Sequence, residues 1–252
     1  MDIFKKTDTY KAAIDALRPF EEPVLGQLRD YYRIGLTWSS NALEGNTLTE
    51  IETKVVLEDG LTVGGKPLRE IYEAIGHGKA YDYVFSIFKS GTIGIDDIKT
   101  IHRLFYQAID EENAGIWREK SIIVSGTDFV FPAANEINGL VDDLILWINT
   151  ARGTIHPLKF AALLHLKFVT IHPFIDGNGR VGRLLMNLAL IQDGFVPAII
   201  PPVLRSDYLS LIRSYQLRGI DNPFCDFVAE RVYESQKEIA RMLHIDVEIQ
   251  PT

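Results

Sequence analysis

Twelve consecutive residues, His172 to Arg183 (HPFIDGNGRVGR), gather one histidine, one acid, one amide, three glycines and two arginines. Gly177 and Gly179 allow a sharp turn and a close approach of backbone to a bound group. A helix starting near Asn178 or Gly179 would aim its free N–H groups into the turn, where they favour an anion. Arg180 and Arg183 fall in its first turn, three apart and roughly on one side. Cations at that end oppose the helix dipole, an unfavourable arrangement that a multiply charged phosphate would reverse. Asp176 is the odd acid in this positive nest, and a divalent metal riding on phosphates would account for it. His172 is the one group of the stretch able to take a proton near neutral pH. Together these residues describe a site for metal-bound polyphosphate with a base beside it. The plainer reading is a turn with solvated arginines, but one glycine would suffice for a turn.

Two apolar segments must hold that loop. Phe160–Ile171 (FAALLHLKFVTI) precedes it and Leu184–Ile191 (LLMNLALI) follows it. Both are apolar on nearly every side, the mark of buried helices. Polar groups between them are costly unless a ligand pairs them. Around this pair the periodicity predicts a short amphipathic helix within 1–20, a long helix over 24–43 ending at Gly45-Asn46, and a capping box, Thr49 with Glu52, opening a helix to Asp59. Further helices are predicted over 68–89, 95–109, 136–150, from Ser206 as N-cap over 207–217, and over 223–243. Ser121–Pro132 alone reads as β, with SIIV and FVF flanking turn residues 125–128, a hairpin that must lean on the helices. His77 on its helix reads as structural, and His102 as packing against neighbours or facing water.

Composition bounds the rest. The chain has 252 residues, 46% hydrophobic and 24% charged, enough for one sizeable domain. A net charge of −8 argues against a nucleic-acid surface. The lone Cys225 excludes an internal disulfide and reads as a core residue. The first ten residues lack the apolar stretch of a signal peptide, and no run reaches membrane-spanning length, so no membrane association and a cytoplasmic location are the expectation. A zinc hydrolase is disfavoured: His165 and His172 lie two helical turns apart, roughly 10 Å, too far for one ion.

The stretch 172–183 resembles the Fic (Fido) family motif, His-x-Phe-x-Asp/Glu-Gly-Asn-Gly-Arg-x-x-Arg, and matches it at every fixed position. The resemblance extends over roughly residues 36–220. It implies a mostly α Fic-fold helical bundle with a small β-hairpin flap beside the active site. It also implies an N-terminal region (1–92), a core (93–205) with the flap at about 121–132, and C-terminal helices (206–252). Family members mostly transfer AMP from ATP to a protein hydroxyl. By resemblance, His172 is the general base for a Tyr, Thr or Ser hydroxyl, Phe174 anchors the loop, and Asp176 holds Mg²⁺. Gly177, Asn178 and Gly179, with Val181 and Gly182 behind them, form the phosphate cradle, with Asn178 near the α-phosphate. Arg180 takes the β-phosphate and Arg183 the γ-phosphate.

The resemblance also covers Ser40-Asn41-Ala42-Leu43-Glu44-Gly45, which matches the family's inhibitory helix, Ser/Thr-x-x-x-Glu-Gly/Asn, here within about 24–45. On its own Glu44 reads as a solvated acid placed unfavourably at a helix C-terminus. The family pattern pairs it instead with Arg183. Tyr208 is expected either to contact the adenine or to be a half-buried helix residue, and Gln216 is a weaker candidate for the same wall. A target protein is expected to dock on the flap by strand addition. The alternatives are a Fic-type phosphotransferase, removal of AMP with help from Glu44, and a catalytically silent ATP-binding module. Apolar helix faces leave a homodimer open.

Overall fold

A computed structural model describes residues 2–122 and 127–247 of the chain. Among the described residues ten α-helices carry the fold: α1 (Ile3–Asp15), α2 (Val24–Ala42), α3 (Glu50–Lys54), α4 (Leu68–Ile87), α5 (Ile95–Tyr106), α6 (Ile137–Ala151), α7 (Pro157–Ile171), α8 (Asn178–Gln192), α9 (Arg205–Arg218) and α10 (Asn222–Met242). The centre is the pair α7 and α8, with α4, α5, α6 and α10 packed around it. Pro157 sits at the first helical position of α7, and the His156 ring caps it by accepting from the Leu158 N–H at 3.2 Å. From Leu158 to Ile171 only Lys159, Leu163, Lys167 and Thr170 escape full burial. α8 is buried almost throughout, including Asn178, Arg180, Arg183 and Asn187. A helix with no solvent face carrying two arginines must supply each with internal partners.

Close helix crossings depend on particular glycines. A Cβ on Gly76 of α4 would lie 2.1 Å from the Phe105 carbonyl oxygen of α5, so only glycine lets these backbones meet. Gly182 of α8 backs in the same way onto His165 and Val169 of α7. α2 crosses the N-terminal side of α8, which brings residues 39–44 over the loop. α1 is tied to α10 through Gln236, which donates to the Thr7 carbonyl at 3.0 Å.

Helix ends differ from the periodicity in instructive ways. The helix expected to 59 does end at Gly60 (φ 65°), but its last turn, Val55–Asp59, widens to a π-helix. The helix expected over 68–89 closes through a 3-10 turn at Phe88–Ser90 before Gly91 (φ 70°). Ser206 is not an N-cap: a 3-10 turn at Pro202–Leu204 feeds straight into α9, which begins one residue earlier, and Leu204 takes the cap position. Among the described residues there is no strand. Residues 123–126 of the expected hairpin lie outside the described residues. Among the described residues no helix is long and apolar enough to cross a membrane. Cys225 is buried beside the α10 core residues, its thiol pushed up to about 12 by burial, so it is inert.

Candidate active site

His172 caps the C-terminus of α7 with left-handed backbone (φ 53°, ψ 58°), its N–H still bonded to the Phe168 carbonyl. That conformation turns the chain out of the helix and into the loop. The ring Nδ1 lies 3.2 Å from the Val169 carbonyl, an acceptor only, so Nδ1 carries the proton and Nε2 keeps its lone pair. Burial lowers the His172 pKa to about 4, against the opposing pull of that hydrogen bond. The imidazole is therefore a neutral base at pH 7. Arg118 holds this corner from outside: Nε donates to the His172 carbonyl (2.8 Å), Nη1 to Lys120 (3.1 Å) and Nη2 to Pro132 (2.6 Å). One buried guanidinium thus ties the base to both ends of segment 120–132.

The loop is stapled from within. Phe174 is fully buried, stacked on His102 at 3.7 Å and 5° and against Trp117. The Asn178 carboxamide closes a ring with Phe174, accepting from its N–H and donating to its carbonyl, both at 2.9 Å. The amide expected beside the α-phosphate is therefore engaged in holding the turn, and Asn178 offers a ligand its backbone. His102, expected to pack against neighbours or face water, does more. Its Nδ1 accepts from the Gly115 N–H (2.8 Å), which leaves Nε2 to donate to the Asp176 carbonyl (3.1 Å). Gly177 begins α8 as its N-cap with φ 78°, where any side chain would also strike Phe105.

Both arginines of α8 are buried, each 4% exposed. Arg183 donates from Nε to the Ser40 hydroxyl (2.9 Å), from Nη1 to the Tyr208 hydroxyl (3.0 Å), and from Nη2 to the Ser40 carbonyl (2.9 Å) and the Glu44 carboxylate (2.8 Å). Burial alone would raise the Glu44 pKa, but Arg183 first, then Arg180, overcome it and hold the carboxyl below its usual range. The Glu44 Oε1 lies 2.2 Å from where a Gly179 Cβ would be, so the carboxylate rests on the first turn of α8. Arg180 stacks over Phe105 (4.5 Å) and pairs with Glu73 of α4 (3.0 Å) and Asp176 (3.3 Å). Asp176 in turn accepts from the Gly177 N–H (2.6 Å) and from Arg69 (2.8 Å).

The remaining expected site residues are spread more widely. Val181 is wholly buried and Gly182 faces α7, so neither opens onto the loop. Tyr208 is 2% exposed among Phe224, Phe227 and His165, and its hydroxyl links Arg183 to His165 Nε2 at 2.9 Å. It stands behind Arg183 rather than on an open adenine wall, because the core claims its ring. Gln216 is half-buried two turns along α9. Arg69, Glu73, His102 and Arg118 were not singled out by the sequence. Arg69 and Glu73 carried a signal, an ion pair four apart on one helix, while Arg118 and His102 carried none.

Arg69, Arg180 and Arg183 face Glu44, Glu73 and Asp176, three cations against three acids. The N–H groups at the start of α8, and Arg205, which also acts on Glu44, add positive potential to these pairs. Among the described residues no group of three or more metal-ligating side chains forms. The Asp176 carboxylate, 40% exposed, is of the kind that suits Mg²⁺, an ion that commonly takes one or two protein carboxylates with phosphates and water completing its shell.

Comparisons with known proteins agree with this geometry. Residues 92–190 match the family model described as Fic/DOC family. The chain is 41% identical over 195 residues to a protein adenylyltransferase Fic of Nematostella vectensis, covering 76% of this chain and 45% of that protein. The chain spans less than half the length of such curated relatives. Among solved structures, Fic-1 (residues 134–508) of C. elegans superposes with a TM-score of 0.84 at 29% identity, covering 96% of this chain and 73% of that one. A Fic-domain signaling protein of Bacteroides thetaiotaomicron gives 0.84 at 25%, covering 98% and 100%. With its loop, its base and its two buried arginines placed on the fold that these relatives share, the chain belongs to the Fic/DOC family.

Proposed function

We propose that the chain is a protein adenylyltransferase, moving AMP from ATP to a Tyr, Thr or Ser hydroxyl of a target protein, and that Glu44 restrains it. The observation that carries this reading is the spacing of three parts around one loop: a neutral histidine with a free Nε2, the N–H-rich start of α8, and two buried arginines, one closed by an acid from α2. The target hydroxyl oxygen attacks the α-phosphorus, its proton passes to His172 Nε2, and the bond from the α-phosphorus to the bridging oxygen breaks as pyrophosphate leaves. The protein's part is placement and charge neutralisation. Arg180 and the backbone N–H groups from Asn178 onward would serve the β-phosphate side, and Arg183 the γ-phosphate once Glu44 leaves it. Asp176 would hold Mg²⁺, which neutralises phosphate charge when bound.

The flap reading draws support from an alternation in 127–132. Phe129 and Phe131 turn inward, Phe131 lying 4.5 Å from the His172 ring, while Asp128 and Val130 face outward, Val130 being 86% exposed. That period of two suits an edge on which an extended target segment pairs by backbone hydrogen bonds. A second activity has its own observation: Glu44 is ionised and rests on the first turn of α8, where it could draw a water toward an AMP-modified side chain. Removal of AMP is therefore proposed as a secondary reaction. Labelled ATP tests the main reading. Glu44→Gly protein should label itself strongly and the Glu44→Gly/His172→Ala protein should not; equal labelling of the two refutes it.

A further inference from the structure

We propose that Glu73 is a positioning residue that couples the two phosphate-binding arginines, an inference that rests on the nucleotide site proposed above. Glu73 is 8% exposed and divides its two carboxylate oxygens between different elements. Oε1 pairs with Arg180 Nη1 at 3.0 Å. Oε2 accepts from the Asn46 side-chain amide at 3.0 Å. Asn46 lies two residues beyond Glu44, across Gly45 (φ 97°), so one buried acid holds both the arginine of the loop and the segment that closes the other arginine.

Just before Glu44 the Leu43 carbonyl accepts from Arg205 Nε of α9 at 2.7 Å; beyond Glu44 the side-chain ties run to α4 or to the loop before it. Asn46 also donates to the Glu70 carbonyl (3.1 Å) and accepts from the Leu48 N–H (3.0 Å). Thr47 gives both its N–H and its hydroxyl to the Glu70 carboxylate (2.9 and 2.8 Å), and Lys66 donates to the Thr47 carbonyl (2.6 Å). On its C-terminal side Glu44 is thus held from α4, the element that also grips Arg180. A phosphate that draws Arg180 away from Glu73 loosens the hold on Asn46, and with it the seat of Glu44. By linkage, an unseated Glu44 lets Arg180 take a phosphate more readily.

The test is a double-mutant cycle read by calorimetry with Mg·ATP. Asn46→Ala removes the tie without touching either arginine or Glu44. It should tighten Mg·ATP binding about three- to tenfold when Glu44 is present, the range expected for one or two lost hydrogen bonds, and by less than about twofold in the Glu44→Gly background. Glu73→Gln should show the same background dependence, because a carboxamide cannot accept from Arg180 and from Asn46 with both its heavy atoms. An equal effect in both backgrounds, or none while Glu44→Gly protein binds Mg·ATP, overturns the coupling. If Glu44→Gly protein binds no Mg·ATP, the nucleotide reading itself has failed. The tie is then judged by amide exchange over residues 44–48: faster exchange in Asn46→Ala, with α7 amides unchanged, supports it, and unchanged exchange overturns it.

Discussion

Replacing Glu44 by glycine is the most informative perturbation of this molecule, because it should change binding and stability in opposite directions. The carboxylate sits 2.8 Å from Arg183 Nη2. Charge centres about 4 Å apart attract by ~4 kcal/mol at an effective dielectric of 20. Glu44 is 36% exposed, so water screens part of that attraction. A net of about 1.5–2 kcal/mol is a reasonable working figure for the competition that a γ-phosphate faces, which corresponds to a gain of about 10- to 30-fold in Mg·ATP affinity on removing it. Arg183 keeps its bonds to Ser40 and Tyr208 and should stay in place. Without nucleotide, however, a buried guanidinium loses its counter-charge. The variant should then melt about 3–6 °C below the parent, for roughly 1–2 kcal/mol in a chain of this size. Saturating Mg·ATP should reverse the order, since a ligand that binds only the native state stabilises it in proportion to its excess over Kd. Calorimetric titration and thermal melts with and without Mg·ATP read both effects. A Glu44→Gln variant, with shape kept and charge removed, should recover most of the affinity gain. If Glu44→Gly neither tightens binding nor lowers the melting temperature of the free protein, the electrostatic account of the lock is wrong.

Four further outcomes follow from the same structure. In the Glu44→Gly background, His172→Ala should remove labelling altogether, and the parent rate should fall only as pH drops toward about 4, where burial has placed the His172 pKa; an acid limb near pH 6.5 would count against a buried base. His77, His102, His165 and His172 are all lowered by burial, to about 3, 4, 3 and 4. Their folded values lie below the unfolded value, so their stabilisation is present above about pH 6.5 and is lost as pH falls; urea titrations at pH 7 and pH 5 should show a steep decline, at most ~5 kcal/mol per pH unit. Tyr208→Phe keeps the ring and removes an acceptor from Arg183, so Mg·ATP binding should weaken; unchanged affinity would return Tyr208 to a purely structural role. Gly76→Ala meets the Phe105 carbonyl and should cost about 3 kcal/mol or more in denaturant unfolding.

The chemistry of the loop was legible because it is local. His172, Asp176, the glycines and the two arginines fall within twelve residues, and the apolar runs on either side say that helices bury them. The helices elsewhere were legible for the same reason: apolar spacing and terminal glycines act over one or two turns. What escaped reading are partnerships set by tertiary packing. Nothing near Arg69 announces Asp176, which lies 107 residues away, and nothing near Arg118 announces the carbonyls of His172 and Pro132. Tyr208 was left open between an adenine contact and a half-buried helix residue for a related reason. An aromatic on a helix gives no sign of which side is filled, and here Phe224 and Phe227 of α10 pack against the ring. Asn178 shows the limit within the motif itself, since its residue type suits either a ligand or a staple and only the closed ring with Phe174 decides.

The left-handed backbone at His172 reaches beyond geometry into the choice of an inactive control. Histidine, asparagine and glycine settle into that conformation more readily than most residues, and β-branched residues resist it. An alanine there removes the imidazole but also strains the hinge that leads α7 into the loop, so a silent alanine protein mixes lost proton transfer with a shifted cradle. Asparagine abolishes the base while tolerating the hinge. A catalytically dead version meant to trap ATP, or a target, on an undistorted loop is therefore better made with His172→Asn, and any natural relative that has given up the chemistry while keeping the fold should show the same preference at this position.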